Sequence, residues 1–149
     1  MELFSYFVKD KTSSLSQVIN WKDYNINEFS VYSFRETFYS KASYPSDIHY
    51  HDYYELVVFE GGNIDYICEN TVFTPQFGDV VLIPPGKLHM SKISADRTFY
   101  KRHVFYFFPK LFDFIEGNVL LDFLKNINNG CLFRFCTTQG KENFMALLN

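Results

Sequence analysis

Three imidazoles and one carboxylate stand out for their types and spacing. His49, His51 and Glu55 lie within His49-Tyr50-His51-Asp52-Tyr53-Tyr54-Glu55, and His89 closes the segment 78–89 further along. On a β-strand side chains two apart share a face, so His49, His51, Tyr53 and Glu55 are expected to point one way. Imidazole nitrogen and carboxylate oxygen bind zinc, iron or manganese at about 2.0–2.2 Å. The same groups also hydrogen-bond a polar ligand, or simply backbone groups at the mouth of a barrel. Taken singly, each histidine fits that structural role as well as a binding one. A straight strand rises about 3.3 Å per residue and would hold Glu55 about 13 Å from His51. A shared ion therefore demands a sharp bend at Asp52-Tyr53-Tyr54, which contains neither Gly nor Pro.

The elements around these residues read as strands. The apolar run 56–59 follows Glu55 directly, Gly61-Gly62-Asn63 closes a hairpin, and 64–68 returns as an alternating strand. Glu69-Asn70 and residues 74–79 carry turn chemistry, with Gly78 free to take a positive φ. Residues 80–83 form a fully apolar strand stopped by Pro84-Pro85-Gly86. Upstream, 18–21 and 29–34 are strand-like, and Tyr44-Pro45-Ser46-Asp47 is expected to turn the chain toward His49. Residues 97–108 form a long alternating strand with Phe99, Lys101, His103, Phe105 and Phe107 on one face. Lys101-Arg102-His103 is expected to be solvated.

Helical spacing takes over after Pro109, as two short helices or one kinked at Gly117-Asn118, and returns over 141–149. That last segment has no stop signal, which points to a helix that continues and to a chain that is part of a longer one. Regularly spaced strands and turns imply an antiparallel sandwich or barrel.

Composition narrows the function classes. At 149 residues the chain is long enough for one domain with a substantial core. Its mean hydropathy of -0.14 and the shortness of its apolar runs argue against a membrane span, and the first residues carry no basic region or cleavage site of a secretory signal. A cytoplasmic location is expected. Lys and Arg number 14 against 17 Asp and Glu, and they are scattered, so these residues are not expected to bind nucleic acid themselves. Cys68, Cys131 and Cys136 form no Cys-x-x-Cys pair, and all three are expected to be small buried side chains. Aromatics make up 20% of residues, mostly for core packing. Tyr53 and Tyr66 are candidates to stack on or bond to a ligand. No nucleophile paired with a base and no Gly-rich phosphate loop is present.

The two segments resemble the paired motifs of the cupin superfamily. The first, Gly-x5-His-x-His-x3,4-Glu-x6-Gly, is matched at His49, His51, Glu55 and Gly62, with Ser43 in place of the leading glycine. The second, Gly-x5-Pro-x-Gly-x2-His-x3-Asn, is matched at Gly78, Pro84, Gly86 and His89, with Ile93 in place of the asparagine. Over roughly residues 45–125, including Tyr100 to Phe107, the chain more closely resembles the amino-terminal sensor domain of AraC/XylS-type transcriptional regulators.

That resemblance implies a mainly β, cupin-like jelly-roll barrel over 1–108 with an N-terminal arm, and a helical extension over 109–149 for dimerisation. It implies a sensor for a small-molecule effector, a sugar or another metabolite, that works without a cofactor. The partners implied are the effector, a second copy through the C-terminal helices, and DNA only through a helix-turn-helix domain outside these residues; no membrane is involved. The ligand-binding residues would be His49, His51, Tyr53, Glu55, Tyr66 and His89. The alternative is a stand-alone cupin enzyme, a dioxygenase or sugar isomerase, with zinc, iron or manganese on His49, His51, Glu55 and His89.

Overall fold

The computed structural model describes residues 5–9, 16–20, 28–39, 44–45, 48–93, 99–115, 117 and 119–148. Eleven strands are described: β1 (Ser5–Lys9), β2 (Ser16–Asn20), β3 (Tyr32–Tyr39), β4 (Tyr44–Pro45), β5 (Tyr54–Gly62), β6 (Ile64–Cys68), β7 (Thr71–Phe73), β8 (Val80–Ile83), β9 (His89–Ile93), β10 (Phe99–Phe107) and β11 (Cys131–Phe133). A short 3-10 helix at Pro109–Phe112 and two α-helices, α1 (Val119–Asn126) and α2 (Thr138–Ala146), complete the described elements. β1 and β2 pair as a hairpin, β11-β8-β5-β10-β3 form a five-stranded sheet, and β4-β9-β6-β7 form a four-stranded sheet. All pairings are antiparallel. This is the expected mainly β, cupin-like architecture followed by helices.

Strand parity builds the core. Val57 and Phe59 of β5, Val81 and Ile83 of β8, and Val104 of β10 point inward and meet Ile64 and Tyr66 of the four-stranded sheet in one buried cluster. Four fully buried residues in a row, Val80 to Ile83, are possible because β8 is covered on both sides. On its outer side the sheet carries two smaller clusters. Tyr54, Leu82 and Phe107 pack on Leu124 of α1, and Val58 and Val80 pack on Met145 of α2. Thr137 caps α2, its side chain accepting from the Gly140 backbone N–H.

Glycine is required at the β5–β6 hairpin. Gly62 has φ +93°, and a Cβ there would lie 2.2 Å from the Phe99 carbonyl oxygen. Just before it, Lys101 pairs with Gly61 while Arg102 pairs with Phe59, which leaves Glu60 as the extra residue of a β-bulge.

Several expectations are corrected. Tyr44-Pro45 is a short strand on β9, not part of a turn; Ser46 and Asp47 lie outside the described residues. β3 begins at Tyr32, and Phe29 is exposed in a turn. After Pro109 the chain makes a 3-10 helix and a separate α1, so the two-helix alternative holds. β11 was not foreseen: its three residues add to the free edge of β8. Cys68 is buried as expected, whereas Cys131 is half-buried and Cys136 exposed. Trp21 and Arg97 lie outside the described residues.

Candidate functional site

The bend that shared geometry demands is present. His49 makes a lone antiparallel bridge with His89, residues 52–53 bend, and β5 starts only at Tyr54. The side chain of His51 clamps the bend through its Nδ1, which lies 2.8 Å from the Tyr53 carbonyl oxygen. No Gly or Pro is needed, because a side chain supplies the hydrogen bond that holds the backbone there. His51 Nε2 thereby comes to 3.0 Å from Glu55 Oε2. From β9, His89 Nε2 reaches the same oxygen at 3.2 Å, and its Nδ1 sits 2.8 Å from the Lys87 carbonyl. Tyr66 of β6 donates to the other carboxylate oxygen, Oε1.

All six residues named from the sequence are brought together. Glu55, Tyr66 and His89 are each 1% exposed, His51 is 2%, Tyr53 4% and His49 9%, so the cluster is an interior one. Tyr53 stacks on His51 with ring centroids 4.1 Å apart and 10° between planes, and His49 lies against His89 at 4.1 Å. Burial pushes the Glu55 carboxyl upward, but the His51 and His89 imidazoles against it outweigh burial and hold the group well below the usual carboxylate range. Burial lowers the His51 imidazole, against the opposing pull of Glu55. Burial, with Glu55 beside it, raises the Tyr66 phenol well above its ordinary value, so it stays a donor.

The proton inventory is informative. Each Nδ1 faces a carbonyl oxygen and so carries a hydrogen, while both Nε2 atoms face one carboxylate oxygen. With protons on Nδ1, neutral rings would aim two lone pairs at an anion. A positive charge is needed at their meeting point: a proton on a ring, or a metal ion. The donor set fits a divalent transition metal in kind, since ligating imidazoles are commonly held by an Nδ1–H to a backbone carbonyl. His49, Glu55 and His89 offer ligand atoms within 4.8 Å of one another, and His51 Nε2 adjoins them.

One participant was misplaced by the sequence. Lys101-Arg102-His103 was expected to be solvated, and Arg102 is instead turned inward, its side chain 18% exposed. Its Nε bonds Glu36 Oε1 at 2.5 Å, its Nη1 stands 4.0 Å from Glu55 Oε1, and its guanidinium lies 5.2 Å from the Tyr100 ring centre. Burial alone would lower the Arg102 pKa, but Tyr100, Tyr66, Glu36 and Glu55 around it raise it well above its ordinary value, and the charge is retained. The signal was available in the parity of β10, where Arg102 occupies the register of Tyr100, Val104 and Tyr106. Lys101 and His103 do face outward, toward Glu60 and Arg35.

On the opposite side of the five-stranded sheet, a cleft of about 660 Å³ opens between the two helices. Leu56 and Phe105 form its floor, Leu120 and Phe123 of α1 and Phe144 of α2 its sides, and Arg134 is the charged residue in its lining. Arg134 is held by Asp79, whose carboxylate takes bonds from its Nε and Nη2 at 2.6–3.0 Å.

Known proteins resemble the chain in family and fold. The model of a family described as the AraC-like ligand binding domain matches residues 36–122. No protein among the curated sequences matches. Among solved structures, an apo form of ToxT from Vibrio cholerae is similar with a TM-score of 0.54 and 15% identity, over 83% of this chain and 48% of that one. ToxT bound to an unsaturated fatty acid gives 0.52 and 16%, over 82% and 45%. A cupin-like protein from Thermotoga maritima gives 0.47 and 16%, over 77% and 73%. The chain spans less than half the length of ToxT.

Proposed function

Because the chain belongs to the family of AraC-like ligand binding domains, we propose that it is the effector-sensing part of a transcriptional regulator, with the effector read inside the barrel. The observation that carries this reading is the interior position of Glu55, His51, His89 and Tyr66. Four hydrogen-bonding side chains from three strands and a loop converge in a wall of aromatic rings, where a polar residue has no packing advantage. His49 and Tyr53 border them. A sugar or similarly polar metabolite matches hydroxyl-bonding groups set beside tyrosine faces. ToxT bound to an unsaturated fatty acid agrees with a small molecule as the input.

The output follows by population shift: effector favours one arrangement of barrel and helices, and the attached DNA-binding module is presented differently. That module belongs to chain outside these residues. Dimerisation is assigned to the C-terminal helices, and a regulator of this kind works in the cytoplasm. Among the described residues no helix is long and apolar enough to cross a membrane.

A thermal-shift screen with sugars and small aromatic acids tests the sensor reading, because a ligand that binds the folded state raises its melting temperature. A hit that is lost in Tyr66→Phe supports it, and a full panel without a shift counts against it. The second reading, a metal-dependent cupin enzyme, is favoured by the Nδ1–H anchoring of two imidazoles. His49, His51, Glu55 and His89 would hold the ion, which would supply Lewis-acid chemistry. Stoichiometric transition metal in protein purified without chelator would move the assignment to the enzyme.

A further inference from the structure

We propose that Arg102 is the effector-recognition point for a carboxylate, and that Glu36 fills its place as an internal stand-in until the effector arrives. This rests on the sensor reading above and narrows its ligand to a small molecule bearing a carboxylate, such as a sugar acid.

Four features carry it. Arg102 is the sole cation on the inward face of β10, between Tyr100 and Val104, and a cation is costly to keep there without a functional or paired anion. Carboxylates use its fork only in part: Nε bonds Glu36, while Nη1 stands 4.0 Å from Glu55 Oε1, beyond hydrogen-bond reach, and the Tyr100 side chain is its other polar neighbour. A planar guanidinium takes a carboxylate in pairs of parallel bonds, so the single short bond to Glu36 leaves capacity unused. The Tyr100 hydroxyl, on a residue 3% exposed, interacts with the Arg102 side chain and has no well-directed hydrogen bond among the described residues, so its proton is free for an anion that takes the guanidinium.

The placement of Glu36 suits a removable occupant. It comes from β3, which pairs with β10 on one side and ends the five-stranded sheet, and its side chain is 39% exposed against 2% for Glu55. Arg102 and Glu36 are direct cross-strand partners, so Glu36 needs only a change of rotamer to swing toward water while the ladder stays intact. Glu55 cannot leave, because Tyr66, His51 and His89 hold it. An incoming carboxylate would therefore exchange with Glu36, take the guanidinium, and find the Tyr100 hydroxyl as a further donor. The exchange keeps the interior charge constant, so affinity does not require burying a new net charge.

The test is chemical rescue. Glu36→Ala removes the stand-in and leaves room, so its melting temperature is expected to drop and to recover in sodium acetate at roughly 50 mM, relative to sodium chloride at equal ionic strength. The double variant Glu36→Ala with Arg102→Gln should show no acetate-specific recovery. If Glu36→Ala does not fold, Glu36→Gln is used, with acetate titrated against chloride in the same way. Acetate and chloride acting alike would overturn the proposal. A matched pair then separates it from the sensor reading: galacturonate is expected to bind more tightly than galactose, and Glu36→Gln to tighten galacturonate by roughly tenfold or more. Galactose binding as tightly, and unchanged in Arg102→Gln, would leave the sensor reading standing while ending the carboxylate assignment.

Discussion

Replacing Glu55 by Gln tests the interior cluster most directly. The side chain keeps its shape, so packing is unchanged, but Oε2 becomes an amide that donates instead of accepting. Tyr66 still finds an acceptor at the other position; of His51 at 3.0 Å and His89 at 3.2 Å, a ring protonated on Nε2 loses its anionic acceptor, whereas a neutral ring gains the amide as a donor. A hydrogen bond to a charged group contributes about 1.5–3 kcal/mol, and breaking a buried pair by removing one member costs about 3–5 kcal/mol. With the amide recovering part of the loss, a net cost of about 3 kcal/mol is expected. For a domain of this size that corresponds to a fall of about 6–12 °C in melting temperature. The pH dependence carries a second signature. The folded carboxyl titrates well below its unfolded value of about 4.3, so the unfolded chain binds more protons between the two, and this stability is full above about pH 5 and lost as pH falls through the folded value. Urea unfolding of parent and variant from pH 3 to 7, in the presence of a chelator, measures both. A variant as stable as the parent at pH 7, or one that keeps the whole acid-side loss, would refute the account of Glu55 as an ionised acceptor.

Other expectations follow from single contacts. Gly62→Ala, with a Cβ 2.2 Å from a backbone oxygen, should destabilise by more than about 3 kcal/mol, whereas Gly86→Ala, with nothing within 4 Å, should cost only the φ strain of about 1–2 kcal/mol; equal costs in urea unfolding would contradict this. Leu124→Ala removes the buried anchor of α1 and should cost about 2–5 kcal/mol, with faster amide exchange over Val119–Asn126 than elsewhere. Tyr54→Phe deletes a 2.6 Å bond to the Leu124 carbonyl and should cost about 0.5–1.5 kcal/mol by the same measurement. If a metal co-purifies, His89→Ala should reduce its stoichiometry by more than half in elemental analysis, because His89 Nε2 adjoins both Glu55 and the His51 ring.

The sequence revealed the site better than it revealed the sheet edges. Spacing in the two motif segments names His49, His51 and His89 beside Glu55, the return strand adds Tyr66, and the distance argument makes a shared site depend on a bend within Asp52-Tyr53-Tyr54. What it did not supply was the means, a ring nitrogen of His51 bonded to the Tyr53 carbonyl, since a side-chain clamp leaves no Gly or Pro to read. Arg102 was misread because Lys101 and His103 flank it and a run of three basic residues looks solvated; the alternation of Tyr100, Val104 and Tyr106 was the better guide. β11 escaped because three residues between two helices carry too little pattern, and its pairing depends on the free edge of β8.

The five-stranded sheet is a party wall. Leu56 and Val57 are consecutive in β5, yet one floors the outer cleft and the other belongs to the interior core; Val104 and Phe105 divide in the same way on β10. A guest that shifted these strands from within would also shift Leu56 and Phe105, on which the α1 and α2 clusters rest, because inward and outward side chains hang from the same backbone. A signal from the barrel interior to the helices would then need no relay along the backbone: it would cross the thickness of one polypeptide layer.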